Sequence, residues 1–217
     1  MTPVGPAALV MAKAPRAGDV KTRLEPLLGA EGCARLQGLL LARTARWAAE
    51  VAPGAAFVAF TPDDALGEIV DLVPAGTDLF PQVGADLGER LAAATARVLS
   101  LHDGPLLTVG TDLATLESGH AAAALDDLAD GIDVTFGPAF DGGYYLIGLR
   151  APHPEVFALP REAWGGPRVL ELSLRAAAEA ELSLGMLRGE RDLDTPEDAR
   201  AALADPRFPD DIAAALR

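Results

Sequence analysis

The chain has 217 residues, half of them hydrophobic and only 5% aromatic, with 32 acidic against 18 basic residues and a formal net charge of -14. That length suits one domain over residues 1–217, and the charge excludes general binding to nucleic acid or to an anionic membrane surface. A lone cysteine, Cys33, excludes an internal disulfide, and no apolar run approaches the length of a membrane span, so the cytoplasm is the expected compartment.

Residues 7–12, AALVMA, form a short apolar run ending in a Pro/Gly turn and predict a buried first strand. Helical spacing of Cys33, Leu36, Leu40, Trp47 and Val51 predicts a helix over 31–51, stopped by Pro53-Gly54. It makes Cys33 a small core residue. A strand over 55–60, a short helix over 63–73 and a weaker strand over 77–82 follow. Asp86, with Glu89 three residues on, predicts a capped helix whose stripe is Leu87, Leu91, Ala94, Val98 and Leu101. PLLTVG, 105–110, reads as a strand ending at Thr111-Asp112, and a helix is expected over 116–130. Strands over 132–137 and 144–150 flank the turn Asp141-Gly142-Gly143. A helix over 168–181, a strand over 184–189 and a helix opened by Pro196 behind the cap Thr195 complete the chain. Strands alternating with helices predict an α/β three-layer sandwich on a mostly parallel sheet, mixed around the DGG pair.

Lys13, Arg16, Lys21 and Arg23 fall within eleven residues of an otherwise acidic chain. They sit where the first strand exits, and ligands of open α/β sheets bind beyond strand carboxyl ends. Gly18 allows a sharp turn there, and the cations suit phosphate oxygens; the competing reading is a solvated basic loop. The spacing fits neither a Walker loop nor a dinucleotide fingerprint. Asp112, after the best strand, either faces a hard divalent cation or caps the next element. RDLDTPEDA, 191–199, is a helix start, but Asp192 and Asp194 precede the cap, and one of them is a candidate second ligand. Both tyrosines follow Asp141, and Trp164 stands beside Gly165-Gly166, so this region reads as a hairpin or as a pocket rim. His102, His120 and His153 share no ligand spacing and read as surface or packing residues.

The order VMAKAPRAGDVKTRL, PQVGADLGERL, VGTDLATL, GPAFDGGYYLIGL, RDLDTPED resembles a bacterial family of glycosyltransferase-A-like proteins over nearly the whole chain. Its members are usually named nucleotide-diphospho-sugar transferases, and some are assigned to arsenosugar biosynthesis. More distantly, the first segment is similar to that of 2-phospho-lactate guanylyltransferase and the molybdenum-cofactor nucleotidyltransferases. The resemblance implies a nucleotide sugar or nucleoside triphosphate, a small-molecule acceptor, and Mg2+ or Mn2+ on Asp112 and Asp194. Lys13, Arg16, Gly18, Lys21 and Arg23 would meet the donor's phosphates, and Gln82 with Leu87-Gly88 its base. Gly142, Gly143, Tyr144 and Trp164 would line the acceptor pocket. On the transferase reading, Asp141 is the candidate for contacting or deprotonating the acceptor hydroxyl, and the metal with the basic loop, Lys21 included, would neutralise the leaving group. The competing reading is a nucleotidyltransferase acting on a phosphorylated acceptor, with Arg150, Arg161 and Arg168 as further cations. One departure is Leu113-Ala114, where a small residue or cysteine and then proline are expected after GTD. The oligomeric state is left open, a homodimer included.

Overall fold

The computed structural model describes residues 4–217. Seven strands form one sheet in the order β3-β2-β1-β4-β6-β5-β7. These are β1 (Ala7–Lys13), β2 (Ala56–Thr61), β3 (Asp78–Pro81), β4 (Leu106–Val109), β5 (Val134–Pro138), β6 (Tyr144–Leu149) and β7 (Leu184–Met186). Every pairing is parallel except those of β6, which runs antiparallel to both β4 and β5. The central strand β1 is buried on both faces, which is why it reads as an unbroken apolar run rather than an alternating one.

Helices cover both faces. On one side lie α1 (Glu25–Val51) and α4 (Ser118–Ala129), with α6 (Pro196–Ala202) and α7 (Asp210–Ala215) packed outside α1. On the other lie α3 (Leu87–Leu101) and α5 (Val169–Glu179), joined through a 3-10 turn at Pro154–Phe157. The short α2 (Leu66–Ile69) follows β2. The three-layer sandwich read from the sequence is therefore the observed architecture.

Several boundaries differ for local reasons. Helix α1 begins six residues earlier than its periodicity predicts, because one turn precedes a break at Gly29 (φ 66°, ψ 167°), a conformation natural to glycine. The expected helix over 63–73 is four residues of α2 and a 3-10 turn at Val70–Leu72. Helix α7 has no counterpart in the sequence reading. The Asp86 carboxylate caps α3 by accepting from Glu89 N at 3.0 Å, while Glu89 reaches back to Ala85 N rather than to the cap residue. Thr195 and Asp198 make a complete capping box on α6. Cys33 is fully buried, as its helical spacing predicts.

The feature that positions a site is the strand order. The chain winds outward from β1 to β2 and β3, then returns to lay β4 on the other side of β1. A crevice opens at such a reversal, beyond the carboxyl ends of the two strands.

Candidate active site

The crevice is a cleft of two adjoining lobes, with cavity volumes of about 490 and 470 Å3. Met11, Lys13, Leu87, Gly110, Asp112, Trp164 and Asp194 border both. Lys21, Gln82, Arg90 and Thr111 line only the first lobe. Arg23, Thr108, Asp141, Gly143, Tyr144 and Asp192 line only the second.

Its framework is a set of polar ties. Gln37 Nε2 on α1 donates to Lys13 O and Thr111 Oγ1, both at 3.2 Å, holding the ends of β1 and β4 together. Gln82 Nε2 donates to Ala12 O and Ala59 O at 3.1 and 2.9 Å, which fixes the amide at the wall of the first lobe. The segment after β7 keeps pairing with the end of β5, through Glu190 N to Pro138 O and Phe140 N to Glu190 O. That pairing brings the residues after Glu190 to the wall beside the Asp141 turn.

Four carboxylates, Asp112, Asp141, Asp192 and Asp194, line the second lobe. Two basic side chains already engage two of them. Lys21 Nζ, on a side chain only 3% exposed, donates at 2.6 Å to Asp112 Oδ1 and at 2.6 Å to Leu193 O. Arg23 Nη1 donates to Asp194 Oδ2 at 2.9 Å. Asp192 is unpaired, and its buried Oδ1 has no hydrogen-bond partner. Burial, reinforced by Asp112, Asp141 and Asp194, pushes its carboxyl up to about 7 against the opposing pull of Lys21.

The turn between β5 and β6 is fixed by Gly142. At φ +94° it adopts a glycine conformation, and a Cβ there would stand 2.0 Å from Pro167 O. Asp141 Oδ1 accepts from Gly143 N at 2.9 Å, an Asx turn that holds the carboxylate at the lobe's edge. A bulge opposite Pro138 separates the two tyrosines. Tyr144 packs edge-on to Phe136, and Tyr145 edge-on to His120. Burial pushes the Tyr144 phenol well up, and the Ser173 hydroxyl lies beside it without the geometry of a hydrogen bond.

The sequence-predicted residues thus divide. Lys13, Lys21, Arg23, Gln82, Asp112, Asp141, Gly143, Tyr144, Trp164 and Asp194 meet at the cleft. Arg16 does not: its guanidinium is committed to Glu68 and Asp64, outside both lobes. Gly18 (φ +85°) serves the turn and borders neither lobe. Gly88 lies beneath the Trp164 ring, where a Cβ would come within 2.6 Å of Nε1, so its part is close packing. Gly142 shapes the turn from behind. Arg150 donates to Gly131 O, Arg161 to Ala85 O and Arg168 to Glu171, and none of the three borders the second lobe. Nor is His120 mere packing: it closes a capping box on α4 and meets the buried Glu190. Missed by the sequence reading were Arg90, Gln37 and Thr108. The acidic background hides the distinction that matters among the cations. Among the described residues Lys13 and Arg90 form no ion pair, whereas Arg16, Lys21 and Arg23 are all engaged.

Leu113 and Ala114, where proline was expected, are buried against the core, and Leu193 N donates to Asp112 O at 2.9 Å. Packing and this bond hold the loop in place of a proline ring.

The sheet order, the cleft at its reversal and the groups beyond β1 and β4 define a protein of the nucleotide-diphospho-sugar transferase fold. The chain belongs to the family described as "Uncharacterized protein conserved in bacteria (DUF2064)", which matches residues 44–165. A protein from Desulfovibrio desulfuricans, provisionally described as a nucleotide-diphospho-sugar transferase, is 30% identical, with a TM-score of 0.85 over 98% of this chain and 94% of that one. A cytidylyltransferase from Leptospira borgpetersenii is 14% identical, with a TM-score of 0.58 over 98% of this chain and 94% of that one. A 4-diphosphocytidyl-2C-methyl-D-erythritol synthase is 12% identical, with a TM-score of 0.59 over 93% of this chain and 97% of that one. These last two share the fold. No curated protein matches the chain. No helix among the described residues is long and apolar enough to cross a membrane.

Proposed function

We propose that the chain is a nucleotide-utilising transferase that moves a sugar from a nucleoside diphosphate sugar to a small acceptor. The donor lies in the first lobe, with its phosphates toward Lys13 and Arg90 and its base toward Gln82. The acceptor lies in the second lobe beside Asp141. The observation that carries this reading is the cleft itself: Lys13 and Arg90, without ion pairs, border the first lobe, Asp141 and Asp192 border the second, and Lys13, Asp112 and Asp194 lie where the two meet.

A divalent cation, Mg2+ or Mn2+, fits this donor set. The available ligands are carboxylate oxygens, which suit a hard ion, and Lys21 and Arg23 engage only one oxygen each of Asp112 and Asp194. Among the described residues no three His, Cys, Asp or Glu side chains stand close enough to hold a metal on their own. That suits Mg2+, which commonly takes one or two carboxylates and completes its shell with substrate phosphates. Asp112 and Asp194 would hold it, and it would supply positive charge to the departing diphosphate.

In the reaction an acceptor hydroxyl oxygen bonds to the anomeric carbon. The bond from that carbon to the diphosphate oxygen breaks, and its electron pair leaves with the nucleoside diphosphate. Asp141 takes the hydroxyl proton. Lys21 holds Asp112 against the Leu193 segment, so it acts by positioning the carboxylate and adds positive charge near the leaving group. Nucleotidyl transfer to a phosphorylated acceptor would need free cations in the second lobe. Arg150, Arg161 and Arg168 are engaged elsewhere.

Two parallel incubations test this reading, one with nucleotide sugars and one with nucleoside triphosphates, each with Mg2+ or Mn2+. Release of nucleoside diphosphate from the sugars, lost in Asp112→Asn, is the expected result. Pyrophosphate formed from the triphosphates, with the nucleotide sugars untouched, overturns it.

A further inference from the structure

The second lobe has a polar inventory that goes beyond a place for some acceptor. Thr108, on the central strand β4, is only 2% exposed, and its Oγ1 has no hydrogen-bond partner. The Tyr144 hydroxyl, which has the Ser173 hydroxyl beside it, Trp164 Nε1 and Asp192 Oδ1 are also buried and unpartnered. All four residues line this one cavity. Buried polar atoms are normally paired, so four residues that line one cavity and carry such atoms are candidates for contact with a ligand. Their hydrogen-bonding senses differ. The Tyr144 phenol, kept protonated by burial, donates. An Asp192 carboxyl oxygen accepts, and the threonine hydroxyl does both.

The charges narrow the ligand further. Four carboxylates face the lobe. Of its two basic residues, Arg23 is bound to Asp194 and Lys13 is shared with the donor lobe. Apart from the cation that Asp112 and Asp194 would share with the donor diphosphate, an acceptor carrying phosphate or carboxylate would find no free positive charge of its own and would face Asp141 and Asp192. The Met11, Leu91 and Ile147 side chains and the Trp164 ring supply apolar surface for a carbon skeleton.

We propose that this lobe selects an uncharged polyhydroxy acceptor, whose hydroxyls pair with Thr108, Tyr144 and Asp192, and rejects phosphorylated or carboxylated ones. The proposal rests on the reading that the second lobe holds the acceptor. Thr108 and Tyr144 are then specificity determinants that take no part in donor binding.

Trp164 borders the lobe and is one of only two tryptophans; the other, Trp47, is buried and donates to Glu117 O. Trp164 borders the first lobe as well, so its fluorescence reports on the second lobe when the nucleoside diphosphate is held at saturation, and Trp164→Phe supplies the background. The probes are glycerol, xylitol and glucose, set against glycerol 3-phosphate, glucose 6-phosphate and gluconate. Each is titrated alone and with a nucleoside diphosphate present. We expect the neutral polyols to shift the Trp164 signal at lower concentration than their anionic counterparts. Thr108→Val and Tyr144→Phe each remove one hydroxyl with little change of shape. Each should weaken polyol binding about three- to tenfold while nucleotide binding, followed by calorimetry, stays at the wild-type value. Tighter binding of the anionic probes overturns the proposal, as does the absence of any polyol response. So does wild-type polyol affinity in both variants. Failure of nucleotide binding with polyol selectivity intact would remove the transferase reading and leave the selectivity standing.

Discussion

Replacing Lys21 with methionine tests the tie on which the cleft depends. The variant keeps the length and apolar stem of the side chain and removes its donors. Two bonds are lost, to Asp112 Oδ1 and to Leu193 O, both at 2.6 Å. The two losses are unequal. The Asp112 side chain is 49% exposed and regains water, so its share falls toward the ~1 kcal/mol of a surface pair. Leu193 is 2% exposed, so an unpartnered carbonyl there costs about 1–2 kcal/mol. Together the loss is roughly 2–3 kcal/mol, and at about 2–4 °C per kcal/mol for a chain of this size, Tm falls by about 4–12 °C. Thermal unfolding followed by circular dichroism measures it. A cycle with Asp112→Asn isolates the pair, and a coupling near ~1 kcal/mol is expected. A Tm within about 1 °C of wild type, with no coupling in the cycle, would refute the claim that Lys21 positions Asp112.

Other positions give sharper contrasts. Arg16→Ala should leave nucleotide affinity unchanged, because its guanidinium is held by Glu68 and Asp64 away from the cleft, whereas Lys13→Ala should weaken it about tenfold by calorimetry. Gly142→Ala would force a side chain to within 2.0 Å of the Pro167 carbonyl at φ +94°. A loss of about 2–4 kcal/mol in urea unfolding, or a displaced turn, is expected, and wild-type stability would contradict that packing. Glu190 carries the pH dependence. Burial raises its carboxyl, but bonds from Arg207 and His120 and the nearby Arg188 outweigh that and hold it below the usual range. Its contribution is therefore present above the unfolded value near ~4.3 and is lost as pH falls through the lower folded value. The urea midpoint should drop below about pH 4 in the wild type, with a shallower drop in Glu190→Gln.

What the sequence shows plainly is whatever a short window determines. The run at β1, the stripe of α3, the Thr195 cap and the DGG turn all follow from local spacing, and each is where it was expected. The Gly29 break in α1 is subtler, since a single glycine within a helical pattern signals either tolerance or a kink. Helix α7 was missed because its six residues are short and alanine-rich, and its burial of Ile212 against Leu24 and Leu36 comes from tertiary packing. Within the site, local spacing brought the correct segments to the cleft but could not sort them. Asp112 and Lys21 are 91 residues apart, Arg23 and Asp194 171. No window of the sequence contains either pair.

That pairing changes how the basic segment should be understood. A cluster of cations in an acidic chain invites the view that each one awaits a phosphate. Three of the four instead neutralise carboxylates, and two of those carboxylates are ones that a cation-dependent transferase would use. The arrangement follows from electrostatics: four carboxylates around one lobe would repel one another unless some were paired in the absence of ligand. Lys21 and Arg23 relieve that repulsion while leaving oxygens of Asp112 and Asp194 uncommitted. Lys13 and Arg90, which border the first lobe without carboxylate partners, are left as the groups that would have charge to offer a diphosphate. Most of the cluster is thus taken up in balancing carboxylates, and under the proposed function only the smaller part of it would be free to attract a nucleotide.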